Sequence, residues 1–304
     1  MGTQRCRRAS ARRGRFEAST RCLHLPITGG EAGVGLPERH HPMCTSGAAT
    51  SVATEACPTR PQRELTPWEE AITGDLAQTV GCEGKSVLEI GGDLPPQHAL
   101  DVLKAAYWTS LDLGVKNPIR DERYALIPGD ARDLPFPDES ADVVYSSCAF
   151  EHIHDFPRAV AEMKRVLRPG GELFSCWGPI WSSAWGNHVW VHCEGRLLTF
   201  NHEVLPPWAH LLCCEPELAS FLACHLPAER AASVAHWVRH DPYLNRLFCD
   251  DYVGALDAAG FSSGSLDPWG PKQLPSSDEA DRLEAAWPGK GPFHIYGLRC
   301  HAVK

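Results

Sequence analysis

Between Ser86 and Trp177 the chain alternates short apolar segments with longer amphipathic ones, and this alternation restricts the fold more than any other feature. Apolar segments of five or six residues predict strands, and the stretches between them predict helices near 96–106 and 155–168. The predicted strands are 86–90, 107–112, 123–128, 142–147 and 172–177. Strands that alternate with helices form a mostly parallel sheet through right-handed crossovers. The sequence therefore predicts an α/β fold with a doubly wound sheet.

Polar side chains stand at the ends of four successive predicted strands. Glu89 ends the first strand, Asp112 the second, Asp130 follows the third, and Ser146 and Ser147 end the fourth. Ligands of open α/β sheets bind outside the carboxyl ends of the strands. A carboxylate after the second strand can accept hydrogen bonds from both ribose hydroxyls of a bound nucleoside. This edge of the sheet is therefore the candidate cofactor site.

Four segments together resemble a known family. They are SVLEIGGD at 86–93, YALIPGD at 124–130, DLPFPDESADVVYSSCAFEHI at 133–153 and RVLRPGGELF at 165–174. Their order and spacing resemble class I S-adenosylmethionine-dependent methyltransferases, specifically the small-molecule group called type 11. The resemblance covers residues 85–178, and more loosely 250–304. It implies a seven-stranded Rossmann-like sheet and S-adenosyl-L-methionine as the cofactor.

The resemblance also assigns roles at the sheet edge. Asp112 is expected to bind the ribose, while Asp130 with Ala131 contacts the adenine, and Glu89 orients the amino acid end indirectly. Two glycines let the backbone approach the cofactor closely. The residues expected to bind the cofactor are Glu89, Gly91, Gly92, Asp112, Leu113, Asp130, Ala131 and Ser147.

The loop after the first strand departs from the family's pattern. The family writes E-x-G-x-G-x-G, whereas residues 89–96 read EIGGDLPP, with two adjacent glycines and two prolines. The same loop argues against a nicotinamide cofactor, because G-x-G-x-x-G is absent and Asp93 would lie near a pyrophosphate. S-adenosylmethionine carries a positive sulfonium and no phosphate, so an acidic loop suits it better. Altered or weaker cofactor binding is left open.

Composition and charge restrict the partners. Residues 1–65 hold ten Arg, no Lys and five Glu, a net charge of +5, so residues 66–304 carry −14. An acidic surface disfavours nucleic acid, whose binding depends on clustered Lys and Arg. No apolar run approaches the roughly 18 to 20 residues of a membrane span. Thirteen cysteines without a CxxC motif predict reduced thiols and hence a cytoplasmic protein. The resemblance to the type 11 group implies a small-molecule acceptor.

Residues 1–65 differ in composition from the rest of the chain. Seven Arg and one acid occur up to Arg21, followed by a stretch rich in Gly, Pro and Thr. This segment is interpreted as a disordered basic tail, a transit peptide for a mitochondrion or plastid, or sequence upstream of a start at Met43. The folded domain is expected over 66–304. It begins with a helix over 66–80, because Thr66-Pro-Trp-Glu69 has the form of a capping box.

An insertion at 179–248 separates the fifth predicted strand from a helix that ends at Gly260. We expect a helical lid that binds the acceptor, because loops at the carboxyl edge of a sheet supply substrate contacts. Residues 177–248 contain six of the ten Trp and seven of the fifteen His. His188 and His192 would share one face if they lay on a helix. No HExxH motif accompanies them, and we expect packed imidazoles that shape a pocket, with no metal site.

His152 and His188 are the candidate catalytic residues. Glu151-His152 follows the fourth strand, where the resembled family often carries an E-H dipeptide close to the reacting methyl group. His152 is interpreted as a wall of the cofactor site or as a base for an acceptor hydroxyl. His188 is expected to shape the acceptor pocket, with one imidazole as general base. The segment HDPY at 240–243 echoes a motif of nucleobase methyltransferases but lies at the wrong position, so we expect no role for it.

Two functions from different classes follow. The first is methyl transfer from S-adenosylmethionine to a small-molecule acceptor by in-line displacement, which the acids at the strand ends and the insertion rich in His and Trp favour. The second is a catalytically inactive binding or scaffold protein with the same fold, which the altered glycine loop favours. The sequence does not indicate an oligomeric state.

Overall fold

The computed structural model describes residues 63–200 and 204–304. The interpretations made for residues 1–62 lie outside the described residues. The strands are β1 Ser86–Ile90, β2 Tyr107–Asp112, β3 Ile119–Arg120, β4 Tyr124–Pro128, β5 Ala141–Ser147, β6 Leu167–Trp177, β7 Trp190–Cys193, β8 Arg196–Thr199, β9 Ser263–Trp269 and β10 Gly297–Val303. The α-helices are α1 Pro67–Thr79, α2 Phe156–Val166, α3 Ala209–Leu212, α4 Glu215–Leu222, α5 Ala228–His240, α6 Cys249–Ala259 and α7 Ser277–Ala286.

Eight of these strands form one mixed sheet in the order β3-β4-β2-β1-β5-β6-β10-β9. The five strands from β4 to β6 in this order are parallel, and β10 runs antiparallel to both of its neighbours. The prediction of a mostly parallel, doubly wound sheet is confirmed. Strands occur at all five ranges predicted between residues 86 and 177. Beyond them, β10 and β9 extend the sheet at one edge, and the two-residue β3 pairs antiparallel with β4 at the other.

Helices cover both faces of the sheet. On one face α2 buries Phe156, Val160 and Met163, which recur at the three- and four-residue spacing of an amphipathic helix. On the other face α1 buries Ile72 and Leu76. Thr66 caps α1 with its side chain, and the predicted capping box with Glu69 is present.

The helix predicted at 96–106 is much shorter in the structure. It is a π-helical turn of five residues, His98–Val102. Pro95 and Pro96 have no amide hydrogen to donate, and Lys104 adopts a φ of 57° that no right-handed helix allows. The predicted length was therefore wrong, and the chain enters β2 soon after the turn.

The insertion contains a β-hairpin as well as helices, so the prediction of an all-helical lid was wrong. Strands β7 and β8 pair antiparallel around Glu194 and Gly195, whose φ values are 51° and 76°. Two successive residues with positive φ form the type I′ turn that favours tight hairpins. The insertion has a hydrophobic core of its own. This core includes Trp208, directly before α3, and also Leu283 of α7.

Two further observations concern the described part of the chain. None of its helices is both long enough and apolar enough to cross a membrane. Its nine cysteines are all free thiols, as the reduced-thiol prediction requires.

Candidate active site

The predicted site residues meet at one edge of the sheet. Strands β4, β2, β1 and β5 are neighbours, and because they are parallel their carboxyl ends lie side by side. Asp112 pairs with Pro128 at the end of β2 and β4, and Ile90 pairs with Ser146 at the end of β1 and β5. Ser146 also ties these two ends together, because its hydroxyl donates to the Ile90 carbonyl at 2.9 Å. Ser147 is buried at the end of β5.

Glu89 is a buried carboxylate that organises the loop after β1. Only 3% of the residue is exposed. Its Oε2 accepts hydrogen bonds from the Leu94 amide at 3.1 Å, the Trp108 indole at 3.1 Å and the Ser110 hydroxyl. Burial raises the pKa of Glu89, and these three donors oppose that rise. With its contacts directed at the loop and at β2, Glu89 can act on a ligand only through the loop it holds.

Gly91 and Gly92 fill positions that no larger residue can occupy. Gly91 has a φ of +71°, and a Cβ there would lie 2.4 Å from the Cβ of Ala149, in the loop after β5. A Cβ on Gly92 would lie 1.9 Å from Oε1 of Glu89. Two adjacent glycines therefore bring this loop into contact with both the buried carboxylate and the neighbouring loop.

Asp112 and Leu113 form the next part of the edge. The Asp112 carboxylate is half-buried and accepts a hydrogen bond from the Gly114 amide at 2.6 Å, which fixes the turn after β2. Leu113 is 75% exposed. An exposed leucine beside a strand-end carboxylate gives this position both a polar and an apolar surface.

Asp130 is paired with a cation that the sequence reasoning missed. Both of its carboxylate oxygens accept hydrogen bonds from the Arg132 guanidinium, at 2.6 to 3.0 Å. Arg132 holds the pKa of Asp130 below its usual range. Ala131 is buried next to Leu134 in the core beneath the edge. A ligand at this position would therefore contact the Asp130–Arg132 ion pair instead of a single carboxylate.

Helix α1 reaches the same edge through two contacts. The indole of Trp68 donates to the Sγ of Cys148 at 2.9 Å, directly after β5, and its ring lies 4.2 Å from that of Trp269. Arg63, just before α1, donates to Glu69 at 2.6 Å and to Asp93 of the glycine loop at 3.1 Å. Asp93 therefore forms an ion pair with Arg63, which no sequence pattern indicated.

His152 and His188, 36 positions apart, lie next to each other. Their ring centroids are 5.4 Å apart, and the rings meet edge to face. Nδ1 of His152 lies 3.0 Å from the carbonyl oxygen of Tyr243, and Nδ1 of His188 lies 3.0 Å from that of Gly186. A carbonyl oxygen only accepts, so Nδ1 carries the hydrogen in both rings and the Nε2 atoms hold the lone pairs.

His192 does not join this pair. Residues 181–189 form turns rather than a helix, and His188 has a φ of 50°. His192 lies on β7 with its side chain exposed. The two residues do not lie on a helix, so the condition under which His188 and His192 would share one face is not met.

A small, partly open cavity adjoins His188, and the space between its lining atoms, open solvent included, is about 140 Å³. It lies between the loop after β5 and the insertion. Its lining residues are Glu151, Trp181, Gly186, His188, Leu244, Asn245 and Arg246.

The segment 243–246 fixes the walls of this cavity. The side-chain amide of Asn245 donates to the carbonyl oxygens of Phe150 and Ile153 at 2.7 and 3.1 Å, and its backbone amide donates to that of Glu151. The Arg246 guanidinium donates to backbone carbonyls and lies 5.3 Å from the Trp181 ring centroid. Sequence reasoning missed this segment, because contacts about 90 positions apart leave no local pattern.

Comparisons with known proteins find similar sequences among methyltransferases. Residues 98–175 match the family model of the methyltransferase domain, type 11. Over these residues the chain carries a type 11 methyltransferase domain. It is similar to a phthiotriol/phenolphthiotriol dimycocerosates methyltransferase of Mycobacterium leprae, with 39% identity over 107 residues that cover 32% of this chain and 39% of the relative.

The methyltransferase domain is also similar to a malonyl-[acyl-carrier protein] O-methyltransferase of Methylococcus capsulatus, with 36% identity over 34% of this chain and 49% of that protein. The chain thus spans less than half the length of these curated relatives. A solved S-adenosylmethionine-dependent methyltransferase from Mesorhizobium loti aligns with 77% of this chain and 96% of its own, at 16% identity and a TM-score of 0.47.

Proposed function

We propose that the protein transfers a methyl group from S-adenosylmethionine to a small-molecule acceptor. One observation carries the proposal: Asp112 and Leu113, within the residues that match a methyltransferase domain, lie beside the Gly91-Gly92 loop at the end of the neighbouring strand. The relatives named above, whose names refer to phthiotriol derivatives and a malonyl-carrier protein, support an acceptor other than nucleic acid. A cytoplasmic location remains a prediction.

The residues at the edge fit this cofactor. The Asp112 carboxylate can accept hydrogen bonds from ribose hydroxyls, and the exposed Leu113 offers an apolar surface to an adenine ring. Gly91 and Gly92 leave the backbone without side chains where the amino acid end would approach. When bound, the cofactor supplies a methyl group made electrophilic by its positive sulfonium.

The protein's contribution is alignment and exclusion of water. Correct positioning of two reactants can lower a barrier by about 7 to 11 kcal/mol. Trp68 closes the edge from the side of α1, and the insertion at 179–248 acts as the lid over the acceptor. His152 and His188 are the proposed catalytic residues, because His188 lines the cavity and the ring centroid of His152 lies 5.4 Å from that of His188.

The pocket is small, because the space between its lining atoms amounts to about 140 Å³ with open solvent included. We therefore expect the residues around it to contact only the reacting end of the acceptor.

Calorimetric titration with S-adenosylmethionine tests the proposal. Asp112→Ala is expected to weaken cofactor binding ten-fold or more, since hydrogen bonds to a charged group contribute about 1.5 to 3 kcal/mol. Asp121→Ala is the matched control, because Asp121 is an exposed carboxylate whose Oδ1 accepts only from the adjacent Glu122 amide. No binding by the unaltered protein at millimolar cofactor would refute the enzyme and favour the inactive scaffold.

A further inference from the structure

We propose that Glu151, His152 and His188 bind a divalent transition-metal ion at the edge of the acceptor cavity. The binding of the ion stands on the geometry of these three residues alone. Its role in holding the acceptor rests on the proposed methyl transfer.

The two imidazoles are oriented as metal ligands are. Metal-binding histidines almost always donate their other ring N–H to a carbonyl or carboxylate, which fixes both the tautomer and the ring orientation. His152 does so to Tyr243 and His188 to Gly186, each at 3.0 Å. The surrounding backbone thus leaves Nε2 of each ring as the possible ligand atom, and with an ion bound the two imidazoles would hold the metal instead of acting as a general base.

A carboxylate completes the set. Glu151 is buried, and its Oε1 accepts from the Gly178 amide at 3.3 Å and lies 4.0 Å from Nε2 of His152. One ligand atom from each of the three residues lies within 4.8 Å of the others. Tetrahedral ligands at about 2.0 to 2.2 Å from one ion lie roughly 3.4 Å apart. Atoms as far apart as 4.8 Å therefore need to close by up to about 1.4 Å.

The backbone around the three ligands is fixed. Asn245 ties both ends of the turn that carries Glu151 and His152. On the other side, a Cβ on Gly186 would lie 2.5 Å from the carbonyl oxygen of Ile180, so this turn is tightly packed before His188. The ligands therefore lie on rigid supports, as a precise ion site requires.

Two histidines and one carboxylate determine the type of ion. This set suits Zn²⁺ or Fe²⁺ and leaves coordination positions open for water or substrate. Magnesium and calcium prefer sets made of oxygen alone. The cavity side of the cluster is where those open positions would lie.

The charges in the cavity then indicate the acceptor. The Arg246 guanidinium lines the same cavity, and burial lowers its pKa without an acidic partner among the described hydrogen bonds. A metal ion beside the Arg246 guanidinium would add to the positive charge of the cavity. It would therefore favour an acceptor that binds the metal through a deprotonated oxygen. A bound metal lowers the pKa of a hydroxyl, and the proton released would pass to water. We therefore infer an acceptor that is methylated on oxygen.

A second cluster must be removed before the test. Glu215, His236 and His240 also bring three possible ligand atoms within 4.8 Å, on the exposed surface of α4 and α5. The double substitution His236→Gln/His240→Gln removes it, because both imidazoles contact the Glu215 carboxylate, at 3.2 and 2.9 Å. This variant is the background for the titrations.

The protein is treated with a chelator and titrated with Co²⁺, which is followed by its visible absorption. We expect one Co²⁺ per chain in the background variant, and at least ten-fold weaker binding after adding His188→Gln or Glu151→Gln. Binding that disappears with the surface cluster, or that both added substitutions leave unchanged, would overturn the proposal. Circular dichroism of the ion-free variants shows whether they fold.

If the added substitutions prevent folding, X-ray absorption of the Co²⁺-loaded background variant shows instead which ligands bind the ion. Two imidazole ligands are expected, and a shell of oxygens alone would overturn the proposal. Titration with S-adenosylmethionine in the presence of chelator separates the two proposals. Cofactor binding without Co²⁺ binding would refute only the metal site, whereas no cofactor binding would refute the methyltransferase.

Discussion

Gly92→Ala tests the packing between the glycine loop and the buried Glu89. The new Cβ would lie 1.9 Å from Oε1 and 2.4 Å from Cδ of that carboxylate. Glu89 is buried, so its side chain cannot move into solvent, and it must leave some of its three donors instead. The φ of Gly92 is not in the left-handed region, so backbone strain adds nothing to this cost.

The expected magnitude follows from those hydrogen bonds. Each bond to a charged group contributes about 1.5 to 3 kcal/mol, so losing one or two costs about 2 to 5 kcal/mol of unfolding free energy. Gly74→Ala is the matched control, because a Cβ there meets nothing within 4 Å and the residue lies inside α1. That control should gain about 0.5 to 1 kcal/mol.

Urea unfolding followed by tryptophan fluorescence measures both variants. A double-mutant cycle with Glu89→Ala then isolates the clash, because without the carboxylate Gly92→Ala should cost less than about 1 kcal/mol. An equal cost in both backgrounds, or a loss below about 1 kcal/mol in the original protein, would refute the reasoning.

Two further predictions concern pH and the cavity wall. Burial lowers the pKa of His210 to about 3 from an unfolded value near 6.5. The contribution of the neutral imidazole to the free energy of unfolding is therefore complete above pH 6.5 and is lost as the pH falls towards 3. At pH 5 this lowers the free energy of unfolding by about 2 kcal/mol. The variant His210→Gln keeps a donor for the Trp181 carbonyl, and it should flatten the pH dependence measured by urea unfolding. Asn245→Ala should lower the free energy of unfolding by about 2 to 4 kcal/mol in the same assay, because it leaves two buried carbonyls and the Tyr252 hydroxyl without their partner. Tyr252→Phe, which removes only one of these hydrogen bonds, should lower it by about 1 kcal/mol. Equal losses in these last two variants would contradict that assignment.

The sequence was sufficient for elements whose cause is local. The strands around Glu89 and Asp112 follow from short apolar segments, and the start of α1 follows from a cap and its partner three residues later. The strand order then follows from the few connections an α/β chain allows. The predicted cofactor residues fall at one edge for the same reason.

The remainder depends on contacts between distant residues. Asp93 meets Arg63, 30 positions away, through side-chain positions that no periodicity encodes. The ion pair of Asp130 with Arg132 is local, since the residues are two positions apart, and it was missed. Tyr243, in a segment for which no role was expected, provides the carbonyl that orients His152. The hairpin turn at Glu194-Gly195 did carry a local signal, because glycine after a polar residue favours positive φ, and that signal was missed.

The shared core of the insertion and α7 has a consequence for exchanging parts between relatives. Leu283 belongs to a helix between the last two strands of the sheet, yet it is buried among residues of the insertion. A chimera that replaced 179–248 alone would leave this leucine exposed and the transplanted core unfilled. The two segments, far apart along the chain, therefore make one transferable unit, and any redesign of acceptor specificity must carry both.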